Sequence, residues 1–88
     1  MPYSVRISPA ADRAIRKLDR PVQTRILKKL DGLMMDPMPK GVEKPTGSDV
    51  PCYRVRAGDY RIVYRIDDQV LTVLVLNVGD RKEIYRKL

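Results

Sequence analysis

The chain contains no histidine and a single cysteine, Cys52. Without histidine it lacks both the commonest general acid/base at neutral pH and the commonest zinc ligand, so any catalysis must fall to Lys, Arg, Tyr or carboxylates. One cysteine makes no intrachain disulfide and no cysteine-rich metal site, and nothing here calls for an oxidising compartment. Cys52 also has no neighbouring histidine to activate it, so it reads as a small filler at a strand start rather than a thiol nucleophile. Long apolar runs are missing as well. The opening MPYSVRISP has no stretch of signal-peptide length, and Val70–Leu76 falls far short of the ~20 residues that span a bilayer. The expectation is a cytoplasmic protein with no membrane contact and no cofactor.

Acidic residues are in deficit. Eighteen Lys and Arg stand against eleven Asp and Glu, a net charge of +7, while 43% hydrophobic residues provide for a folded core. With 88 residues there is room for one domain, 1–88, and little room for a deep enclosed cavity. Basic charge at this density concentrates polyanions, so RNA, DNA, a ribosome or an acidic protein lead as partners.

Tyr3, Val5 and Ile7 alternate with Ser4 and Arg6, the period of a half-buried strand, and Ser8-Pro9 then reads as helix N-cap and first turn. Ala11, Ala14, Ile15 and Leu18 recur at helical spacing up to Asp19. There a second helix begins, with Val22, Ile26, Leu30 and Leu33 as its apolar stripe and Arg25, Lys28 and Lys29 facing outward. The prolines after Asp36 end it. Pro37 to Pro51 lacks periodicity and reads as a mobile, solvated connector carrying Lys40 and Lys44.

The remainder reads as an antiparallel three-strand meander completing one sheet. Tyr53, Val55 and Ala57 alternate with Arg54 and Arg56, and Gly58-Asp59 turns the chain. Tyr60, Ile62, Tyr64 and Ile66 then alternate with Arg61, Val63 and Arg65. A turn at Asp67-Asp68 leads to Val70–Leu76, apolar on both faces like a covered central strand, with Gly79 at its end. Asp80-Arg81-Lys82-Glu83 has capping-box form and predicts a short C-terminal helix. The fold class is α+β.

Keeping both apolar faces of the hairpin on one side sets Ala57 opposite Tyr60 and Arg56 opposite Arg61. Directly opposed like charges destabilise a sheet, so a face of Arg54, Arg56, Arg61 and Arg65 makes sense as a polyanion-binding surface. The competing reading is a solvated face neutralised by carboxylates from elsewhere. Tyr53, Tyr60 and Tyr64 share the apolar parity and belong to the core. On a terminal helix, Arg81 and Tyr85 would project from one side, a cation beside a ring suited to single-stranded RNA; on these two residues alone, Tyr85 packed on the sheet with Arg81 as a surface charge is the stronger reading.

The element order, with YRVRAGDYRIVYRI and VLNVGDRKEIYRKL, resembles the RelE/ParE toxin superfamily over essentially the whole chain. The specific part is an arginine strand, a Gly-Asp-Tyr-Arg turn, and Gly-x-Arg with Tyr four residues later. The resemblance implies a RelE-like toxin of a type II toxin–antitoxin system. It would be a metal-independent endoribonuclease that enters the ribosomal A site and cleaves mRNA by 2′-hydroxyl attack on the adjacent phosphate. It further implies Arg61 and Arg81 as phosphate-binding and leaving-group-side arginines and Tyr85 as the stacking tyrosine; Arg54, Arg56 and Arg65 of the arginine face are the expected RNA contacts. Arg54 and Arg56 stand where ribosome-dependent members often have lysines. Arginine does not give up its proton, so the general base is left to Tyr85 or a perturbed neighbour, or cleavage is weak. The partners implied are mRNA, the ribosome and a cognate antitoxin in a hetero-oligomer. Two alternatives stand beside this: a ParE-like inhibitor of DNA gyrase without catalysis, and a plain basic nucleic-acid-binding module.

Overall fold

The computed structural model describes residues 2–44 and 52–80. Strand β1 (Ser4–Ile7) leads into helices α1 (Pro9–Arg16) and α2 (Arg20–Met35), followed by β2 (Tyr53–Ala57), β3 (Tyr60–Asp67) and β4 (Thr72–Asp80). The sheet order is β1-β4-β3-β2. β2, β3 and β4 form the expected antiparallel meander, and β1 joins its far side parallel to β4. No helix among the described residues is long and apolar enough to cross a membrane.

Local chemistry accounts for the helical hairpin. Ser8 caps α1, its Oγ accepting from the Ala11 N–H at 3.1 Å, and the same hydroxyl donates to the Leu76 carbonyl at 2.9 Å, so one side chain starts the helix and ties it to β4. Gln23 of α2 donates to the Ile15 and Leu18 carbonyls at 2.9 and 3.0 Å, meeting acceptors that the end of α1 leaves open. Ile26, Leu30 and Leu33 of the expected stripe are buried, and Val22 packs partly buried beside them. They meet Val55, Ala57, Ile62, Tyr64, Val73, Val75 and Val78 from one face of the sheet.

Several boundaries differ from expectation. β4 starts at Thr72, because Val70 and Leu71 belong to the preceding turn, where Asp67 Oδ1 accepts from the Gln69 N–H at 3.0 Å. Gly79 lies inside the strand rather than after it, paired with Arg61, and Asp80 pairs with Tyr60. A bulge explains the extension: Tyr64 faces Val75 and Val63 faces Asn77, leaving Leu76 as the extra residue. One extra residue reverses the side-chain alternation, so Val78 reaches the core while Asn77 and Gly79 turn to the opposite face.

The connector is also less free than its composition implies. The Pro37 carbonyl accepts from the buried Tyr64 hydroxyl at 2.7 Å, and Glu43 exchanges two backbone hydrogen bonds with Arg54, at 2.8 and 2.9 Å. Its first part is thus pinned beside β2, while residues 45–51 lie outside the described residues. So do Arg81, Tyr85 and the expected terminal helix.

Two measurements test this packing. Leu30→Ala, in the middle of the stripe, should cost ~2–5 kcal/mol, read from urea denaturation. For Tyr64, burial first, then Asp36 and Tyr53, hold the phenol well above its ordinary value of 10.0. A raised folded pKa contributes stability that is complete below the unfolded value and declines above it, since only the unfolded chain then loses the proton. Urea denaturation at pH 9 and pH 11 should therefore show a steeper loss for the wild type than for Tyr64→Phe.

Candidate nucleic-acid interface

The hairpin register is the one the alternation requires, with Ala57 opposite Tyr60 and Arg56 opposite Arg61. At the turn, Gly58 has φ +65°, a left-handed conformation that glycine adopts without steric cost. Its bare Cα also admits a neighbour, since a Cβ there would lie 2.6 Å from the Arg25 guanidinium of α2.

Partners across the strands share a face. Away from the helices, three rows cross the sheet: Gly79, Arg61 and Arg56 nearest the turn; Asn77, Val63 and Arg54 next; Arg6, Leu74 and Arg65 at the far end. Gly79 is the cross-strand partner of Arg61 and carries no side chain.

The three rows differ in chemistry. Arg56 is exposed, whereas Arg61 retains only 3% of its surface. No carboxylate lies within ion-pair distance of Arg61 among the described residues, and its Nε is buried without a hydrogen-bond partner. Both residues line a hollow of about 190 Å³ with Gly58 and Asp59, some six times the ~30 Å³ that a water occupies in the liquid and enough for a phosphodiester group. Arg54 departs from the picture of an unneutralised face, since its guanidinium stands 3.6 Å from the Glu43 carboxylate. Arg65 is exposed, four residues further along β3 and roughly 13 Å from Arg61 at ~3.3 Å per residue, beside a separate hollow with Arg6 and Leu74. The structure therefore brings Arg56 and Arg61 together, sets Arg54 one row away with an internal partner, and separates Arg65.

A buried guanidinium without a counter-charge is expensive, because desolvation weakens the cation and nothing nearby repays it. An oriented, partly dehydrated cation facing a hollow is also what stabilises an anionic group whose charge grows during a reaction. Tyr64 cannot supply a base, because burial keeps its phenol protonated. Tyr3 is likewise raised, chiefly by donating to Asp68 Oδ1 at 2.6 Å. Alternation alone marks Arg61 as solvent-facing, and it gives no sign of Gln23, Gly79 or the Glu43–Arg54 pair. Those depend on groups remote in sequence.

The family model for the ParE toxin of a type II toxin–antitoxin system matches residues 5–85. Toxin RelG of Mycobacterium tuberculosis is 36% identical over 89 residues, covering 99% of this chain and 100% of that protein. The mRNA interferase toxin RelE of Escherichia coli K12 is 31% identical, with 97% and 92% covered. Among solved structures, the archaeal RelE–RelB complex from Pyrococcus horikoshii OT3 superposes with a TM-score of 0.80 at 29% identity, covering 92% of this chain and 97% of that one.

The cost of burying this cation is measurable in the isolated protein. Arg61→Met should raise stability by about 1 kcal/mol or more, an increase in Tm of ~4–8 °C per kcal/mol for a domain of this size. A fall in Tm would show that the guanidinium is held by compensating interactions.

Proposed function

The chain belongs to the RelE/ParE toxin superfamily, and on that premise we propose that it is an endoribonuclease toxin that cleaves mRNA in the ribosomal A site. The observation that carries the reading is Arg61, buried with no carboxylate in ion-pair distance among the described residues, facing Arg56 across the hairpin. A relative described as an mRNA interferase, aligned over nearly the full length, supports it.

The proposed reaction uses the RNA's own nucleophile. The ribose 2′-oxygen attacks the adjacent phosphorus and the bond to the 5′-oxygen breaks. A 2′,3′-cyclic phosphate and a 5′-hydroxyl result, with one proton leaving the 2′-hydroxyl and one arriving at the leaving oxygen. Arg61 holds the phosphate and counters the charge that develops on it, while Arg56 anchors the strand from its exposed position. Arg81 serves on the leaving-group side, and Tyr85 stacks on the RNA and takes part in proton transfer. Arg54 and Arg65 contact the strand at a distance from the cleaved bond. Its partner is a cognate antitoxin, as supported by the complexed state of the archaeal RelE neighbour. The net charge of +7 suits the ribosome as the surface on which it works.

Primer extension on an mRNA in a reconstituted translation system, with ribosomes present or omitted, tests the proposal. Wild-type protein should give cuts that require the ribosome. Arg81→Ala should reduce them ~10²-fold or more with the fold intact, as loss of a transition-state donor does. Adding Tyr85→Ala should abolish them. Because the matching family model is described by the ParE toxin, absence of cuts from folded wild-type protein would move the assignment to gyrase inhibition, measured by DNA supercoiling.

A further inference from the structure

A second cationic recess accompanies the hairpin hollow. It measures about 280 Å³ and is lined by Lys29, Lys40, Gly41, Glu43, Val55 and Arg56. Arg56 lines both. The two recesses therefore flank Arg56 on β2, an outer strand of the sheet. Arg25 and Lys29 are one helical turn apart on the same side of α2, and Arg25 reaches the hairpin turn over Gly58. Arg61, Arg56, Arg25, Lys29 and Lys40 thus border one track from the hairpin to the connector.

Lys40 is held there rather than carried on a free loop. The Val42 N–H donates to the Pro39 carbonyl at 3.1 Å and Gly41 has φ +90°, the arrangement of a type II turn with Lys40 at its first central position. Glu43 then fastens that turn to β2 through its paired backbone bonds with Arg54. Among the described residues, two carboxylates lie along the track. Glu43 is engaged by Arg54 at 3.6 Å, and Asp59 sits at the hairpin end. No carboxylate is within ion-pair distance of Arg25, Lys29, Lys40 or Arg56 among the described residues.

We propose that this track binds the backbone of single-stranded RNA adjoining the cleaved bond, with Lys29 and Lys40 each holding a phosphate beyond the one at Arg61. The inference rests on the endoribonuclease reading and extends it to the strand's path. Four cations lining two recesses that share Arg56, with Arg25 beside them at the hairpin turn, fit a chain of regularly spaced anions better than a single small one. The compact, rotatable ammonium groups of Lys29 and Lys40 suit backbone contacts that need no fixed orientation, whereas the buried Arg61 fixes one phosphate.

The test measures binding by fluorescence anisotropy over a range of salt, using a trinucleotide and a decanucleotide fully 2′-O-methylated so that neither can be cut. For Lys29→Gln/Lys40→Gln, the log–log salt dependence for the decanucleotide should become shallower by about 1.4, at ~0.7 for each single-strand phosphate no longer neutralised, with the trinucleotide unaffected. Lys40→Gln alone, at an exposed site, should show about half that change and guards against a folding defect. An unchanged decanucleotide slope in the double variant, with both ligands weakened by Arg61→Gln, would overturn the track and leave the hairpin site standing. If Arg61→Gln weakens neither ligand, the hairpin holds no phosphate, and the endoribonuclease reading falls together with the path drawn from it. Loss of binding only to isolated small ribosomal subunits, with oligonucleotide binding intact, would assign the lysines to ribosomal RNA and overturn the substrate path.

Discussion

A guanidinium buried with no counter-charge among the described residues sets the conditions that the rest of the sheet meets. Arg61 lies on a central strand, flanked by Arg56 on one side and Gly79 on the other. Each neighbour makes sense in relation to it. Gly79 opposes it with no side chain, and Arg56 adds a second cation where a stability-minded sheet would place a carboxylate. Val63, two residues on, shares that face and is buried too. The cation is thereby removed from bulk water and aimed, at a cost the core on the other face must cover.

That core is supplied by the opposite sides of the same strands. Ile62 and Tyr64 alternate with Arg61 and Val63 in β3, so burying the former against α2 fixes the direction of the latter. The bulge at Leu76 makes this possible on β4. Without it Val78 would point away from the helices and Asn77 toward them, and a side chain rather than a glycine would meet Arg61. Tyr64 extends the same logic to the connector, because its hydroxyl holds Pro37 while its ring stacks at a tilt 5.8 Å from Tyr53.

The cations divide by how they are held. Arg54 is committed to Glu43 and helps bind the connector to the sheet, Arg61 is committed to the hollow, and Arg56 is free to serve two recesses. An arginine-rich face that looks uniform in sequence is therefore a set of positions with separate duties. Superfamily membership narrows the chemistry, and the site's own electrostatics distinguish holding a phosphate from merely attracting one.

Periodicity was enough to determine the α+β class, the helical hairpin with its Ile26, Leu30 and Leu33 stripe, and the opposition of Arg56 to Arg61. These follow from alternation and helical spacing between near neighbours. The pattern of arginine strand, Gly-Asp-Tyr-Arg turn and Gly-x-Arg was enough to point to the superfamily. Only the tertiary structure decided that Arg61 is buried, that Gly79 belongs to β4, that Arg54 is neutralised and that Lys40 is held beside β2. The physical reason is common to all four. Alternation says which way a side chain points relative to its own strand, but burial, pairing and bulges depend on groups that arrive from distant parts of the chain.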